Sequence, residues 1–229
     1  MFAMHSPEQL RARLEACERA VESSAAQGES AQALEQLLEG ATLLASLRRV
    51  DVALSVELAA GLVELATCLA REDGPRYLPG LVALTEQFAR SCQRCGLLGR
   101  AADSYAQAVE GAKLLALAEH ADAGAQLALL ELMSQRALCL AQLGRLDAAR
   151  ELGLRVVELG RGQLWRSLPV VSGALVFLAD LEQGLGCAPG PEARLSEALE
   201  LLEAAVAADQ PGAQEAAAKL RARLEAAQA

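Results

Sequence analysis

The chain has few aromatic and few β-branched residues, which limits the kinds of core it can form. Aromatic side chains make up 3% of its 229 residues, with one tryptophan, two tyrosines and three phenylalanines. Its apolar residues are mainly alanine and leucine, which favour helices over strands. Since 53% of the residues are hydrophobic, a chain of this length can bury a large core. We therefore expect an ordered, all-α protein.

The chain also lacks an excess of basic residues. It has 21 Lys and Arg against 30 Asp and Glu, and its formal net charge is −9. A protein that binds nucleic acid needs clustered Lys and Arg to neutralise the phosphates, and an anionic membrane surface attracts the same residues. The charge balance therefore predicts no nucleic-acid partner and no adsorption to a generic anionic membrane.

Long uncharged runs are missing too. The N-terminal sequence MFAMHSPEQLRARLEACE becomes charged within about ten residues and has no apolar core of signal-peptide length. The longest uncharged run covers residues 167–179, which is shorter than the roughly 18 to 20 residues that span a bilayer. We expect no membrane insertion and a cytoplasmic location.

Residues that carry catalysis or hold cofactors are scarce. His5 and His120 are the only histidines in the chain. The sequence has neither a nucleophile-elbow motif nor a glycine-rich phosphate loop with a Lys-Ser/Thr ending. We expect no enzyme activity and no cofactor.

Cys92 and Cys95 form the single Cys-x-x-Cys motif among six scattered cysteines. Residues three apart share a helix face, as a metal pair or a redox dithiol requires. Zinc needs four ligands, however, and no second motif supplies the other two. The pair also lies at the C-terminal end of a predicted helix, where the helix dipole opposes a thiolate. We interpret both as half-buried structural thiols and expect no metal; a redox or metal role is the alternative.

Capping and turn residues divide the chain into ten predicted helices. Ser6, Ser30 and Asp51 are N-cap residues for the first three, and glycines stand at several of the later ends. Apolar residues recur at helical spacing between these breaks. The predicted helices cover about residues 7–27, 30 up to the cap at 51, 51–71, 78–95, 98–118, 126–143, 146–159, 168–185, 192–207 and 211–227.

Two stretches carry a recognisable repeat pattern. The first stretch is residues 137–152, ALCLAQLGRLDAAREL. Its first helix has a small residue followed three positions later by a large one, and it ends at a turn with Gly144. Its second helix begins with a large apolar residue and an acid, and a small residue stands three positions after that apolar residue. This stretch resembles the core of a tetratricopeptide repeat. Residues 96–108 are similar to the second helix of such a repeat, with Ala101, Tyr105 and Ala108 as its small-large-small signature. Weaker copies occur at Ala33, Leu37 and Gly40 and at Ala198, Leu202 and Ala205.

The resemblance implies a right-handed solenoid of antiparallel helical hairpins with about ten helices, formed by long and degenerate repeats. The copies are spaced more widely than the family's repeat of about 34 residues, and Gly153 stands where the third copy should have a bulky residue. A generic α-helical repeat protein is the alternative. We expect residues 1–229 to form a single domain, with a polar capping helix at 208–229 whose outer side carries Lys219, Arg221 and Arg223.

In tetratricopeptide-like proteins the first helix of each hairpin lines a concave groove. Carried over to this chain, the resemblance places in that groove side chains of the fourth, sixth and eighth helices: Glu86, Arg90, Gln93, Arg94, Glu131, Ser134, Leu138, Gln142, Asp180 and Gln183. These residues lack the Lys/Asn pairs of the repeats that clamp chaperone tails. The resemblance therefore implies a non-enzymatic scaffold or adaptor that binds some other protein or peptide.

Two questions stay open at the level of sequence. A helical enzyme or a small-ligand-sensing regulatory domain that uses the same concavity is the alternative to a scaffold. Trp165, the single tryptophan, is interpreted as a buried residue that fixes the start of the eighth helix, with a partner-binding anchor as the alternative.

Overall fold

A computed structural model of the chain describes residues 6–118, 123–161, 167–186 and 191–228. The regular secondary structure of these residues consists of α-helices, with no strand among them. The helices are α1 (Pro7–Ala26), α2 (Ser30–Val50), α3 (Val52–Glu72), α4 (Gly74–Arg94), α5 (Leu98–Leu117), α6 (Ala123–Gln142), α7 (Leu146–Arg161), α8 (Leu168–Leu185), α9 (Pro191–Ala207) and α10 (Ala213–Gln228). The all-α prediction and the number of helices are confirmed.

The helices belong to two compact units, unit 1 (Met1–Ala121) with α1 to α5 and unit 2 (Asp122–Ala229) with α6 to α10. In unit 1, α2 packs against α1, α3 and α4, and α4 packs in addition against α3 and α5. In unit 2, α8 packs against α6, α7 and α9, and α9 packs against α10. Each unit is thus built from neighbouring helices that share their apolar faces.

One turn recurs at four of the helix connections. In each of them one residue of the connection donates its N–H to the carbonyl five positions back, as Leu97 does to Cys92 at 2.9 Å, and this is the Schellman geometry. A residue with positive φ precedes it each time: Gly28, Gly96, Gly144 and, with φ 54°, Asp209. Glycine adopts this conformation without the strain that a Cβ brings. The glycine turns predicted from the sequence are therefore confirmed.

Two other connections use a single aspartate. Asp51 ends α2 and caps α3, and its carboxylate accepts a hydrogen bond from the N–H of Leu54 at 3.0 Å, as predicted. Asp73 likewise stands between α3 and α4, but its side chain accepts no capping hydrogen bond. The prediction that Ser30 caps α2 is wrong, because Ser30 is the first helical residue and Glu29 precedes it without a side-chain cap.

The start of α4 was predicted about four residues too late. The sequence Gly74-Pro75 reads as a loop, yet both residues belong to the first turn of α4. Proline is tolerated there because the first N–H groups of a helix have no acceptor within the helix. Pro79 also lies inside α4 without ending it.

The repeat-signature residues are core residues. Ala101 and Tyr105 are fully buried, and Ala108 is almost so. The same holds for the weaker copies at Ala33, Leu37, Gly40, Ala198, Leu202 and Ala205. Gly153 lacks a side chain because α8 fills that space: a Cβ there would lie 3.0 Å from the Leu178 side chain.

Two of the described helices, α3 and α8, are long and apolar enough to cross a membrane by length and composition, with mean hydropathies of 1.8 and 1.4. Core helices of water-soluble proteins have the same length and composition. In α8, Leu175 and Leu178 are fully buried against other helices of unit 2. In α3, Glu57 and Glu64 are exposed on a helix that packs against α2 and α4.

Candidate functional site

The four predicted site residues of α4 lie on one face of that helix in unit 1. Arg90 follows Glu86 by four residues, and Gln93 and Arg94 follow Arg90 by three and four residues, so each step is about one helical turn. Nη2 of Arg90 pairs with Oε1 of Glu86 at 2.6 Å, and the two side chains are 39% and 25% exposed. The Nε of Arg90 is buried and has no hydrogen-bond partner within the described part of the chain. Arg90 therefore has one N–H donor that is unpaired in this conformation and shielded from solvent.

Arg48 of α2 belongs to the same site, although the sequence did not indicate it. Its Nη1 donates to Oε1 of Gln87 on α4 at 2.7 Å. Burial lowers the pKa of Arg48, and the positive charges of Arg90 and Arg94 lower it further, while Tyr105 and Glu86 act in the opposite direction. Arg48, Arg90 and Arg94 thus share one electrostatic environment, and we refer to them as the arginine cluster.

The signature ring of α5 supports this face of α4. The hydroxyl of the fully buried Tyr105 donates to Oε1 of Gln93 at 3.2 Å. Gln93 is half-buried, and Arg94 is exposed in the last turn of α4, where the helix dipole favours a cation. Tyr105 therefore connects the repeat packing to the predicted site.

The chemistry of the arginine cluster suits an anion. A guanidinium carries five N–H donors in a planar fork and binds carboxylates through two of them at once. The three arginines outnumber Glu86, and Gln87 and Gln93 bring no charge. This part of unit 1 is therefore locally basic in a chain whose net charge is −9.

The four predicted residues of α6 lie in unit 2 and differ in their exposure to solvent. Glu131, Leu138 and Gln142 are exposed, and Ser134 is half-buried. The hydroxyl of Ser134 donates to the carbonyl of Leu130 at 2.9 Å within its own helix. Leu138 is one of the large apolar side chains that the described residues leave exposed.

The two predicted residues of α8, Asp180 and Gln183, are also exposed. Asp180 forms an ion pair with Arg223 of α10. The prediction that Arg223 lies on the outer side of the last helix is wrong, because α10 lies close enough for this side chain to reach α8. Arg221 pairs with Glu203 of α9 at 2.7 Å. The role of α10 as an end cap stays a prediction.

Unit 2 also contains a cleft between α8, α9 and α10. Its volume is about 490 Å³, which is within the range of small-molecule sites. The walls are mainly apolar and include Gly173, Val176, Leu202 and Leu220. Lys219 and Arg223 also line the cleft, and Arg223 is paired with Asp180 of α8. No sequence motif indicated this cleft, because its lining comes from three helices.

The two cysteines of the Cys-x-x-Cys motif have different environments. Cys92 is fully buried, and burial raises the pKa of its thiol. Cys95 is exposed, because α4 ends at Arg94 and Cys95 is its C-cap. The expectation of two half-buried thiols is therefore wrong for both.

No group of three or more His, Cys, Asp and Glu side chains that could hold a metal occurs in the described ranges. His5, His120 and Trp165 lie outside those ranges, so the interpretations attached to them remain predictions.

Comparisons with known proteins concern the fold. No protein-family model matches the chain, and no curated protein matches it by sequence. In structure it is similar to the crystal structure of BtubC (BKLC) from P. vanneervenii, with a TM-score of 0.56 and 16% identity over 96% of this chain and 92% of that chain. It is also similar to a putative kinesin light chain from Podosopora anserina with nearly identical TPR-like repeats, with a TM-score of 0.50 and 23% identity over 89% of this chain and 96% of that chain.

At these identities the likeness shows the fold and not the activity. It agrees with the buried repeat signatures and with the recurring Schellman turns, which are independent of any comparison. The chain has the fold of a tetratricopeptide-like helical repeat protein.

Proposed function

We propose that the chain is a non-enzymatic protein-interaction scaffold that captures a peptide or helix of a partner protein on the face of α4 next to α2. In this proposal residues 1–229 act as one cytoplasmic interaction domain, and α10 is its end cap. The arginine cluster carries the proposal. Glu131, Ser134, Leu138 and Gln142 of α6 and Asp180 and Gln183 of α8 are further candidate contacts within unit 2.

The cluster has properties typical of an energetically important contact. Arginine is enriched among the residues that dominate protein interfaces, and truncating such a residue costs about 2 kcal/mol or more of binding free energy. Arg48 and Arg90 are partly buried, so their charges are less screened than those of fully exposed side chains. A locally basic patch on an acidic protein also attracts partner segments with the opposite charge.

Charge reversal tests the proposal. The variant Arg90→Glu/Arg94→Glu is compared with the wild type in affinity capture from the native source, with bound proteins quantified by mass spectrometry. We expect specific partners to disappear from the variant while its helical content and melting temperature stay close to those of the wild type. Arg94 is exposed, and an i, i+4 pair such as Glu86–Arg90 contributes only about 0.3 to 0.5 kcal/mol to folding.

The matched control is Arg19→Glu/Arg49→Glu. Both arginines are exposed, both belong to unit 1, and Arg49 occupies the last turn of α2 as Arg94 occupies the last turn of α4. The control changes the net charge equally and should retain the partners. Retention of all partners by the cluster variant, or equal losses in both variants, would contradict the proposed site.

The cleft in unit 2 supports a second candidate function, the sensing of a small apolar ligand. Gly173 lines this cleft, and a Cβ at Gly173 would have no heavy atom within 4 Å. Native mass spectrometry of the purified chain should then detect a bound small molecule, and Gly173→Leu should remove it by filling the cleft. A chain that carries no such molecule leaves the scaffold proposal as the better one.

A further inference from the structure

We propose that the arginine cluster recognises carboxylate groups in an acidic segment of the partner protein, and that Glu86 competes with that segment for Arg90. This inference rests on the proposed scaffold function and specifies the chemistry of the partner. It adds Arg48 as a binding residue and Glu86 as a residue that limits affinity.

Arg48 adds a third cation to a site for which only Arg90 and Arg94 were predicted from the sequence. Its side chain bridges from α2 to Gln87 of α4, so it is held in place by a neutral amide and not by a carboxylate. Burial and the nearby charges of Arg90 and Arg94 disfavour its charged form. Like charges in a partly buried site repel one another more strongly than in water. An anion that binds among the three arginines relieves this repulsion.

Glu86 shows which anion fits. Its carboxylate already pairs with Nη2 of Arg90 at 2.6 Å, while the buried Nε of the same guanidinium has no partner in the described ranges. Carboxylates bind arginine most strongly through two parallel N–H donors. Because this Nε is buried, a partner carboxylate reaches it together with a terminal nitrogen only when the guanidinium of Arg90 turns away from Glu86. Glu86 must give up part of its own contact for this to happen.

The charge of the whole chain favours a short acidic segment over a long polyanion. A nucleic acid that lay across the protein would bring its phosphates close to other, acidic parts of a chain with net charge −9. A peptide with two or three neighbouring carboxylates contacts the cluster alone. The partner is therefore expected to present Asp or Glu residues in close succession.

A blocked hexaglutamate peptide is the probe. It is titrated into the full chain at low ionic strength, and the Nε–H signals of the arginines are followed by NMR. We expect Arg48→Gln to weaken binding about tenfold, because a charge-assisted hydrogen bond from a partly buried donor is lost. Glu86→Gln should strengthen binding several-fold. Arg49→Gln, which changes the neighbouring exposed arginine on α2, is the matched control and should bind as the wild type does.

Several results would overturn the inference. Equal losses in Arg48→Gln and Arg49→Gln would show attraction to net charge and not to a site, and an unchanged affinity in Glu86→Gln would show that Glu86 does not compete. Binding of inorganic phosphate or of a phosphoserine peptide, with none of hexaglutamate, would contradict the carboxylate assignment. If Arg90→Glu/Arg94→Glu loses its partners while hexaglutamate does not bind the wild type, the scaffold proposal holds and this inference is wrong.

Discussion

The two units each bring arginines from different helices near one glutamate, yet the two arrangements differ in character. In unit 2, Glu182 of α8 is fully buried and accepts hydrogen bonds from Arg150 of α7 at 2.9 Å and from Arg194 of α9 at 2.5 Å. In unit 1, Glu86 is 25% exposed and pairs with Arg90 of its own helix. The ion pairs of the first arrangement join three helices, whereas the ion pair of the second lies within α4, and Arg48 connects α2 to α4 through the neutral Gln87.

The two arrangements differ in how deeply their side chains are buried and in how many of their hydrogen-bond donors and acceptors are paired. Both carboxylate oxygens of Glu182 accept hydrogen bonds, and Arg194 is only 12% exposed. In the arginine cluster the Nε of Arg90 has no acceptor in the described ranges, and Arg48 contacts a neutral amide. The same residue types therefore form a closed structural network in unit 2 and leave binding capacity in unit 1.

The largest effect is expected from Glu182→Gln. Removing the charge leaves Arg150 and Arg194 without their buried counter-ion, and breaking a buried ion pair by removing one partner costs about 3 kcal/mol or more. The free energy of unfolding of the full chain, measured by urea denaturation followed by circular dichroism, should fall by this amount. A loss below about 1 kcal/mol would mean that the network of unit 2 is not a structural one.

The second effect concerns close contacts between neighbouring helices, which occur in both units. A Cβ at Gly160 of α7 would overlap Cγ2 of Val171 in α8, and a Cβ at Gly111 of α5 would lie 2.6 Å from Cγ2 of Val82 in α4. Gly160→Ala and Gly111→Ala should each destabilise the chain by about 1 to 2 kcal/mol, since overpacking exceeds the gain in helix propensity.

Gly173→Ala is the control for these two variants. It lies inside α8, and its new Cβ would meet no heavy atom within 4 Å. Its unfolding free energy should rise by up to about 1 kcal/mol through helix propensity alone. If Gly160→Ala is destabilised and Gly111→Ala is not, the two units differ in helix packing as well as in their arginine arrangements.

The third effect is a pH dependence that belongs to unit 2. Burial by itself raises the pKa of Glu182, but the hydrogen bonds and charges of Arg194 and Arg150 lower this pKa overall. The unfolded carboxyl has a pKa of about 4.3, so it takes up a proton before the folded one does as the pH falls. The stability that Glu182 contributes is therefore complete above about pH 5 and is lost at lower pH.

Urea denaturation of the wild type and of Glu182→Gln over a series of pH values measures this contribution. The difference in unfolding free energy between the two proteins should be constant near neutral pH and should shrink below about pH 4.3. A difference that stays constant down to about pH 3 would show that the charge of Glu182 does not stabilise unit 2.

The sequence predicts the helices well because their ends depend on local rules. The cap at Asp51 and the turns at Gly96 and Gly144 need only residues a few positions apart. The start of α4 was missed because the same Gly-Pro pair is compatible with a loop and with a first helical turn. The buried signature at Ala101, Tyr105 and Ala108 was recognised because it lies on one helix.

The arginine cluster of unit 1 and the Glu182 network of unit 2 both depend on contacts between helices, and helical periodicity does not reveal such contacts. Arg48 reaches the site only because α2 packs against α4. Glu182 was missed because an acid in an amphipathic pattern is assigned to the solvent. A signal was present, however: Val171, Leu175, Leu178 and Glu182 follow one core-facing row of α8. An acid on such a row predicts a buried pair with basic residues of neighbouring helices.

The smallest effect is expected from Glu86→Gln, the counterpart of Glu182→Gln in unit 1. An i, i+4 pair on a partly exposed helix face contributes about 0.3 to 0.5 kcal/mol, and added repulsion within the arginine cluster is of the same order. The unfolding free energy should therefore fall by less than about 1 kcal/mol, and this loss should shrink in about 0.5 M salt, which screens exposed charges. The loss in Glu182→Gln should persist in the same salt, because buried pairs are screened much less. If Glu86→Gln costs as much as Glu182→Gln and resists salt equally, the arginine cluster is a structural network like that of unit 2, and its arginines are not available to a partner.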